Sequence, residues 1–385
     1  MSGVSARIVG GVDAIGREVW NACANPNALT EPHPFTTYEF FSALEDTGCA
    51  SIRSGWQPVH LVLTDGTAIV AVMPLYAKNH SHGEYVFDWG WADAFERAGG
   101  VYYPKLQAAV PFTPVTGHRL LVGANAPKDS AERLLEAAAG AVDQLGCSSL
   151  HVTFMAEREW QLAGHLGFLQ RNDQQFHWQN RGYASFEDFL GQLSSSKRKN
   201  LRKERAAVKA SGIEFDWLTG RDLTEDAWDH FFAFYMDTGS RKWGTPYLTR
   251  EFFSVLGDRL RNQILLVMAR RGQRWIAGAL NLFGENVLFG RNWGTVESIP
   301  FLHFETCYYQ AVEFAIAHKF ARVEAGAQGE HKLLRGYMPV ATYSAHFIAH
   351  PGLRKAVSAF LREERAAVNA SIEQLSEFGP YKKTD

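Results

Sequence analysis

The chain contains one pattern twice. Residues 34–44 read PFTTYEFFSAL and residues 246–256 read PYLTREFFSVL, with seven of the eleven positions identical. The sequence after each box agrees as well. HLVLTDGTAIVAVMPLY follows the first and ILLVMARRGQRWIAGALNLF the second, each reading as two β-rich runs joined by a polar turn, Asp65-Gly66 or Arg271-Gly272. Next come SAERLLEAAAGAVDQLG and FETCYYQAVEFAIAHKF, both with apolar residues at helical spacing. Each runs into a strand-like segment, SSLHVTF or ARVEAGA, and each half closes on a strand holding a histidine, QFHWQN or SAHFIA. A repeat this long predicts two copies of one fold, and 385 residues are enough for two domains. The offset between copies shrinks along the chain, so the first copy must carry roughly 30 to 40 extra residues between hairpin and long helix, in the aromatic-rich stretch of about 83–118.

Bulk properties narrow the class. A net charge of −2 gives no global attraction to nucleic acid or membrane, so any such attraction is local. The four cysteines form no CxxC pair, which argues against a zinc ribbon or a disulfide scaffold and for a reducing compartment. The first residues lack a basic region followed by an apolar run, and no stretch of about 18 apolar residues occurs, so neither a signal peptide nor a membrane span is expected. These features predict a cytoplasmic protein.

The element order resembles the GNAT acyltransferase fold. In that fold the strands flanking the long helix splay apart and expose backbone groups that an acyl donor can pair with, much as a peptide adds to a sheet edge. The stretches FDWGWADAF, YYPKL, PFTPVTGHRLL, GRNWG, HFETCYYQ and GAQGEHKLLRGYMP are similar, over nearly the whole chain, to the FemAB-like family of predicted N-acyltransferases linked to peptidoglycan. The resemblance implies an α/β (α+β) protein with two tandem GNAT-like domains, each a mixed central sheet flanked by helices. The expected division is residues 1–185, a basic linker helix at 186–212, and residues 213–385 with the active site.

Acyl transfer to an amine needs a base and donors for the oxyanion. In the second copy the third strand ends in Arg291, Asn292 and Trp293, and the strand after the helix delivers Glu324, Glu330, His331, Lys332 and Arg335. Glu324, His331 and Glu330 are the candidate catalytic residues, with Arg291, Trp293, His303, Glu305, Lys332 and Arg335 as substrate contacts. Backbone N–H groups of the Gly326–Gly329 stretch are alternatives for the oxyanion. Aligned without gaps, the first copy places Thr153 opposite Glu324 and lacks this charged group. The bland alternative is a surface loop of weak ion pairs. His303, Glu305, His331 and His346 match no compact ligand pattern, so no metal is expected.

Two further segments stand out. Within SSSKRKNLRKERAAVKASG seven Lys or Arg face the single acid Glu204. Lys197, Arg198, Arg202 and Arg205 would suit a phosphate-rich ligand such as a tRNA acceptor arm or CoA, unless the stretch is only a solvated linker. In the first copy's insertion, Asp88, Trp89, Tyr103 and Lys105 are candidates for holding a flat or sugar-like acceptor, against the simpler reading that its aromatics are buried core. The turn PFTPVTGHR offers backbone amides as an anion cradle.

Neither long helix is preceded by RxxGxG or QxxGxA, which favours an aminoacyl-tRNA or other activated donor over standard acetyl-CoA. No GxSxG or cysteine nucleophile motif is present, which favours direct transfer. The leading expectation is a Fem-like N-acyltransferase acting on a small-molecule or cell-wall-precursor amine, with aminoacyl-tRNA or acyl-CoA as co-substrate and no tightly bound cofactor. DNA is not an expected partner. The alternatives are a CoA-dependent GNAT acetyltransferase with an atypical pyrophosphate loop, and a non-catalytic binding protein on the same double fold.

Overall fold

A computed structural model describes residues 3–27, 32–242, 246–326 and 329–382. The chain forms two compact units, Met1–Asp173 with Ala341–Ala370, and Gln174–Val340 with Ser371–Asp385.

In the first unit, helix α1 (Tyr38–Asp46) starts where Thr37 Oγ1 accepts from the Phe40 N–H. Strands β1 (His60–Asp65) and β2 (Ala68–Met73) form an antiparallel hairpin across Gly66, whose φ of 61° is one that glycine reaches without strain. After β3 (Tyr76–Lys78) and β4 (Lys105–Ala108), the long helix α2 (Ser130–Gln144) leads to β5 (Ser149–Met155), which runs parallel to β4. Leu134, Leu135, Ala138, Ala141 and Val142 on one stripe of α2 share a core with Leu63 and Met73 of the hairpin, which lies in a four-stranded sheet, and with Leu106, Leu150 and Val152 of β4 and β5, which lie in a second sheet. Each large aliphatic side chain so buried contributes about 1.5–3 kcal/mol. Strand β6 (Leu169–Gln179) leaves the first unit and ends in the second.

The second unit repeats this plan. Helix α3 (Ser195–Ala210) precedes α4 (Arg250–Leu260), where Thr249 caps the Phe252 N–H as Thr37 does its counterpart. Strands β7 (Ile264–Arg271) and β8 (Arg274–Gly284) turn at Gly272, φ 59°. The two hairpins even share a register shift, between Leu63 and Thr64 in β1 and between Ala269 and Arg270 in β7. Strand β9 (Val287–Thr295) is followed by a helical turn (Leu302–Phe304), a π-helical turn (Glu305–Tyr309) and α5 (Gln310–Ala317). Strand β10 (Arg322–Glu324) runs parallel to β9, and β11 (Met338–Ile348) leaves the second unit for the first.

Three sequence expectations are corrected. The compact units do not follow a cut between residues 185 and 213. Residues 177–179 of β6 pair with β10, and residues 343–348 of β11 pair with β5, so each copy donates its last strand to the other copy's unit. Helix α3 belongs within the second unit instead of forming a separate linker. The 83–118 stretch is not all insertion, because β4 lies inside it and is the first copy's counterpart of β9, parallel to the strand after the long helix.

The ladders also revise which residues correspond. His346 faces His151, and His177 faces Glu324, across matching strand pairs. Matched through the last-strand histidines, Glu324 corresponds to His151 and not to Thr153, because an ungapped alignment misses the two-residue difference that the sheet register absorbs.

Candidate active site in the second unit

The parallel ladder between β9 and β10 ends at Phe289 and Glu324, yet β9 continues through Gly290–Thr295. A gap therefore opens where the resemblance expects the strands to splay. Beside it lies a cleft of about 290 Å³, lined in part by Trp293, Thr295, Glu297, Ser298, Leu302 and His303. The chain enters the helix through Phe301 at φ 66°, and the π-helical turn displaces the side chains of Glu305–Tyr309 from regular α spacing. Such turns are frequent at functional sites.

His331 lies in the turn Glu330–Arg335 that follows the gap. Its Nε2 is 2.9 Å from the Tyr308 hydroxyl. The rings of Phe304 and His303 lie 5.4 and 6.1 Å from it, and Trp293 lies 5.3 Å from His303. Half-buried His331 is held neutral at neutral pH, since burial first, then Arg335 and Lys332, push its pKa down. Gly329 makes this placement feasible: its φ is 116°, and a Cβ there would lie 2.5 Å from His331 Cε1. Lys332 is buried, and its Nζ donates to Gly326 O at 3.0 Å. Burial pushes that amine down to about 7.

The remaining candidates separate into distinct roles. Glu324 is buried; its carboxylate takes Arg322 at 2.9 Å and lies 3.9 Å from His177 Nε2. Burial pushes His177 down to about 4, with Glu324 opposing. Glu330 is exposed. Arg291 donates Nη1 to its neighbour's carbonyl, Gly290 O, at 2.7 Å. Glu305 is buried and pairs with Arg205 at 2.8 Å, and Arg205 also takes Glu313 at 2.9 Å. Arg205 is therefore spent inside the unit on the π-helical turn, whereas Arg202 is exposed beside Glu187, and Lys197 and Arg198 are half-buried. Arg335 reaches His331 O at 2.7 Å, Tyr309 Oη at 3.1 Å and Glu204 at 2.7 Å. Sequence reasoning missed Tyr308 and Glu204, although one stood in a quoted motif and the other was the lone acid of the basic stretch. Ala327 and Gln328 lie outside the described residues.

In the first unit, Lys105 and Asp88 form a fully buried ion pair, and Lys105 Nζ also donates to Glu84 and Ser81 at 2.7 and 2.8 Å. Burial opposes the Lys105 charge, but Glu84 and Asp88 outweigh it and raise the amine's pKa. Tyr102, His151 and His346 extend this network, the two histidines meeting Nδ1 to Nδ1 at 2.7 Å. Trp89 is half-exposed beside His82, and half-buried Tyr103 bonds Ser81 at 2.8 Å. Of the four candidates here, only Trp89 and Tyr103 reach the surface.

The gap of the first unit is filled by its own chain. Past the β4–β5 ladder, Gly117 N donates to Phe154 O at 3.1 Å and forms a parallel bridge to Met155. Buried Arg119 donates Nε to Thr153 O at 2.9 Å and Nη2 to Val115 O at 2.6 Å. In the turn expected to cradle an anion, Gly117 N is thus taken by Phe154 O, and Glu159 accepts from Arg119 N at 2.9 Å and from Leu120 N, just past the turn, at 3.3 Å. In the second unit a lysine amine stands at the corresponding loop carbonyl.

Among solved structures, FemX superposes with a TM-score of 0.54 at 11% identity, covering 89% of this chain and 98% of that one. L-PGS from Bacillus licheniformis gives 0.51 at 12%, covering 86% and 98%. The C-terminal domain of a putative lysylphosphatidylglycerol synthetase from Agrobacterium fabrum gives 0.50 at 10%, covering 82% and 96%. At such identities these likenesses speak for the fold. No curated protein sequence matches the chain. The model of the FemAB-like family, described as peptidoglycan biosynthesis/recognition, matches residues 11–383. Matched by that model over nearly its whole length, the chain belongs to the FemAB-like family.

Proposed function

We propose that the second unit transfers an aminoacyl or acyl group directly onto an amine, with His331 as general base. One observation carries this reading: the strand gap that an acyl donor would enter is closed by Val115–Arg119 in the first unit, while in the second it adjoins a cleft and a neutral, half-buried histidine. The acceptor amine attacks the donor carbonyl carbon. If Nε2–H of His331 donates to Tyr308 Oη, Nδ1 is left to take the amine proton. As the tetrahedral oxyanion collapses, with backbone N–H groups of the Gly326–Gly329 stretch as its donors, the C–O or C–S bond to the donor breaks and the leaving oxygen or sulfur takes the proton back from Nδ1, departing as a hydroxyl or thiol. Lys332 donates to Gly326 O, where this stretch begins. Glu324, tied to Arg322 and His177, supports the strand end and does not act as the base.

The acceptor we favour is a cell-wall-precursor amine, with Trp293 and His303, which line the second unit's cleft, as its contacts. The donor is an aminoacyl-tRNA or an acyl-CoA, and the exposed bases of α3 suit the phosphates of either. Among the described residues no helix is long and apolar enough to cross a membrane; we place the reaction in the cytoplasm, where both donors are made. The test is a reconstituted transfer to a precursor peptide amine with each donor in turn. His331→Gln should lower kcat about 10²–10⁴-fold. Transfer at the wild-type rate by that variant would end the assignment.

A further inference from the structure

Helix α3 carries seven basic residues, yet its most structured contact is made by its only acid. Glu204 is half-buried and accepts from Arg335 Nη2 at 2.7 Å and from the Tyr309 hydroxyl. Arg335 is itself buried. Its Nη1 donates to the main-chain carbonyl of His331 at 2.7 Å, its Nε donates to Tyr309 Oη at 3.1 Å, and its guanidinium lies flat on Phe304, 3.4 Å from the ring centroid. Phe304 in turn lies 5.4 Å from the His331 ring. Next along the helix, Arg205 binds Glu305 and Glu313 and fixes the π-helical turn that presents Tyr308.

We propose that Glu204 and Arg335 are positioning residues for His331, and that Arg335 is not a substrate contact. Arg335 is buried and bonds within the unit through each of its three nitrogens, which leaves at most two of its five N–H groups and no exposed fork for a ligand carboxylate or phosphate. A buried arginine without its carboxylate is costly, so Glu204 is what makes this placement of Arg335 stable. The chain of contact runs from Glu204 through Arg335 to both the backbone and the ring neighbourhood of His331. Helix α3 therefore does more than present positive charge: its inner face sets the geometry of the base. This inference rests on the reading of His331 as the base.

The test follows the His331 ring by NMR in the full chain across pH, its signals identified by their loss in His331→Gln. The charged and titratable groups around the ring are Arg335 and Lys332 on its own turn and Tyr308 and His303 on the helix side. Arg335→Gln should raise the titration midpoint by on the order of half a pH unit, since a neighbouring cation is removed. Glu204→Gln should move the ring signals in the wild-type background and add nothing in the Arg335→Gln background, because it acts through Arg335. Glu204→Asp should restore part of the signal position, and Arg202→Gln, on the outer face, should leave it unmoved. If Arg335→Gln does not fold, the Glu204 pair alone decides. Ring signals and midpoint unchanged in Glu204→Gln, or a full Glu204→Gln effect without Arg335, would overturn the proposal. Transfer that survives His331→Gln alongside an intact Glu204–Arg335 coupling would remove the base assignment and leave the clamp standing.

Discussion

The Tyr308 hydroxyl and His331 Nε2 lie 2.9 Å apart, joining the π-helical turn to the loop after β10. Burial pushes the Tyr308 phenol well above its ordinary value, so it stays protonated and serves as a fixed neutral partner for the imidazole. Tyr308→Phe keeps the ring packing and removes only that partner. The expected result is a fall in kcat of about tenfold or more with a stable fold; an unchanged kcat would show that the pair plays no part in fixing the tautomer.

The pH–rate profile should follow His331. A base must be neutral to act, and this histidine's pKa is depressed by burial, Arg335 and Lys332. kcat/KM should therefore fall on acidification through a midpoint below the ordinary value of about 6.5 and stay level just above it. A midpoint above that value would contradict the environment described.

Lys332 makes a separate prediction about stability. Its amine sits at about 7 when folded and returns to an ordinary value near 10.5 on unfolding. Between these limits the unfolded chain binds more protons, so stability should rise with pH across that window and be lowest below pH 7. Lys78, also pushed down to about 7 by burial, adds to the same slope. Lys332→Met should flatten part of the rise and gain about 1–3 kcal/mol at neutral pH, less what the unpaired Gly326 carbonyl costs. Denaturant melts at pH 7 and pH 10 give the comparison, and an unaltered slope would count against the buried amine.

Gly329→Ala places a methyl against the His331 ring at a φ that favours glycine. The strain is of order 1–3 kcal/mol and local. The loss of transfer should approach that of His331→Gln while the melting temperature changes little. Full activity would mean that the ring does not need its present position.

In the first unit, Lys105→Met leaves Asp88 and Glu84 buried without their shared cation, at a cost of about 3–5 kcal/mol. Trp89→Ala, at a half-exposed side chain, should cost well under that. Denaturant melts of both variants separate the buried network from the candidates at the surface of this unit. Equal costs would refute that division.

Much of this was legible in the chain. The paired EFFS boxes, the threonine before each and the turn glycines all report local backbone demands, which sequence carries directly, and they gave the double fold. Apolar spacing in SAERLLEAAAGAVDQLG also marked the face of α2 that packs on the sheet. Which strand pairs with which is a different matter. Alternation in QFHWQN tells which side is buried but not whose edge it joins, so the exchange of last strands stayed hidden. The same limit affected the site. Asp88 and Lys105 look like pocket residues until the fold buries each against the other. Glu204 looks like a diluted charge until its helix is docked. His331 and Lys332 stood out as candidates because their charged segment has no equivalent in the first copy, whereas Tyr308 was masked by an aromatic run that reads as core.

The central proposal for this molecule is a single working cleft, in the second unit. The most direct measurement is the attachment site of a photoreactive acyl donor, mapped by mass spectrometry on the full chain. Labelling should stop at one donor per chain and fall on Gly290–Leu302 or on the turn Glu330–Arg335. A second donor per chain, or label on the Val115–Arg119 segment of the first unit, would contradict it.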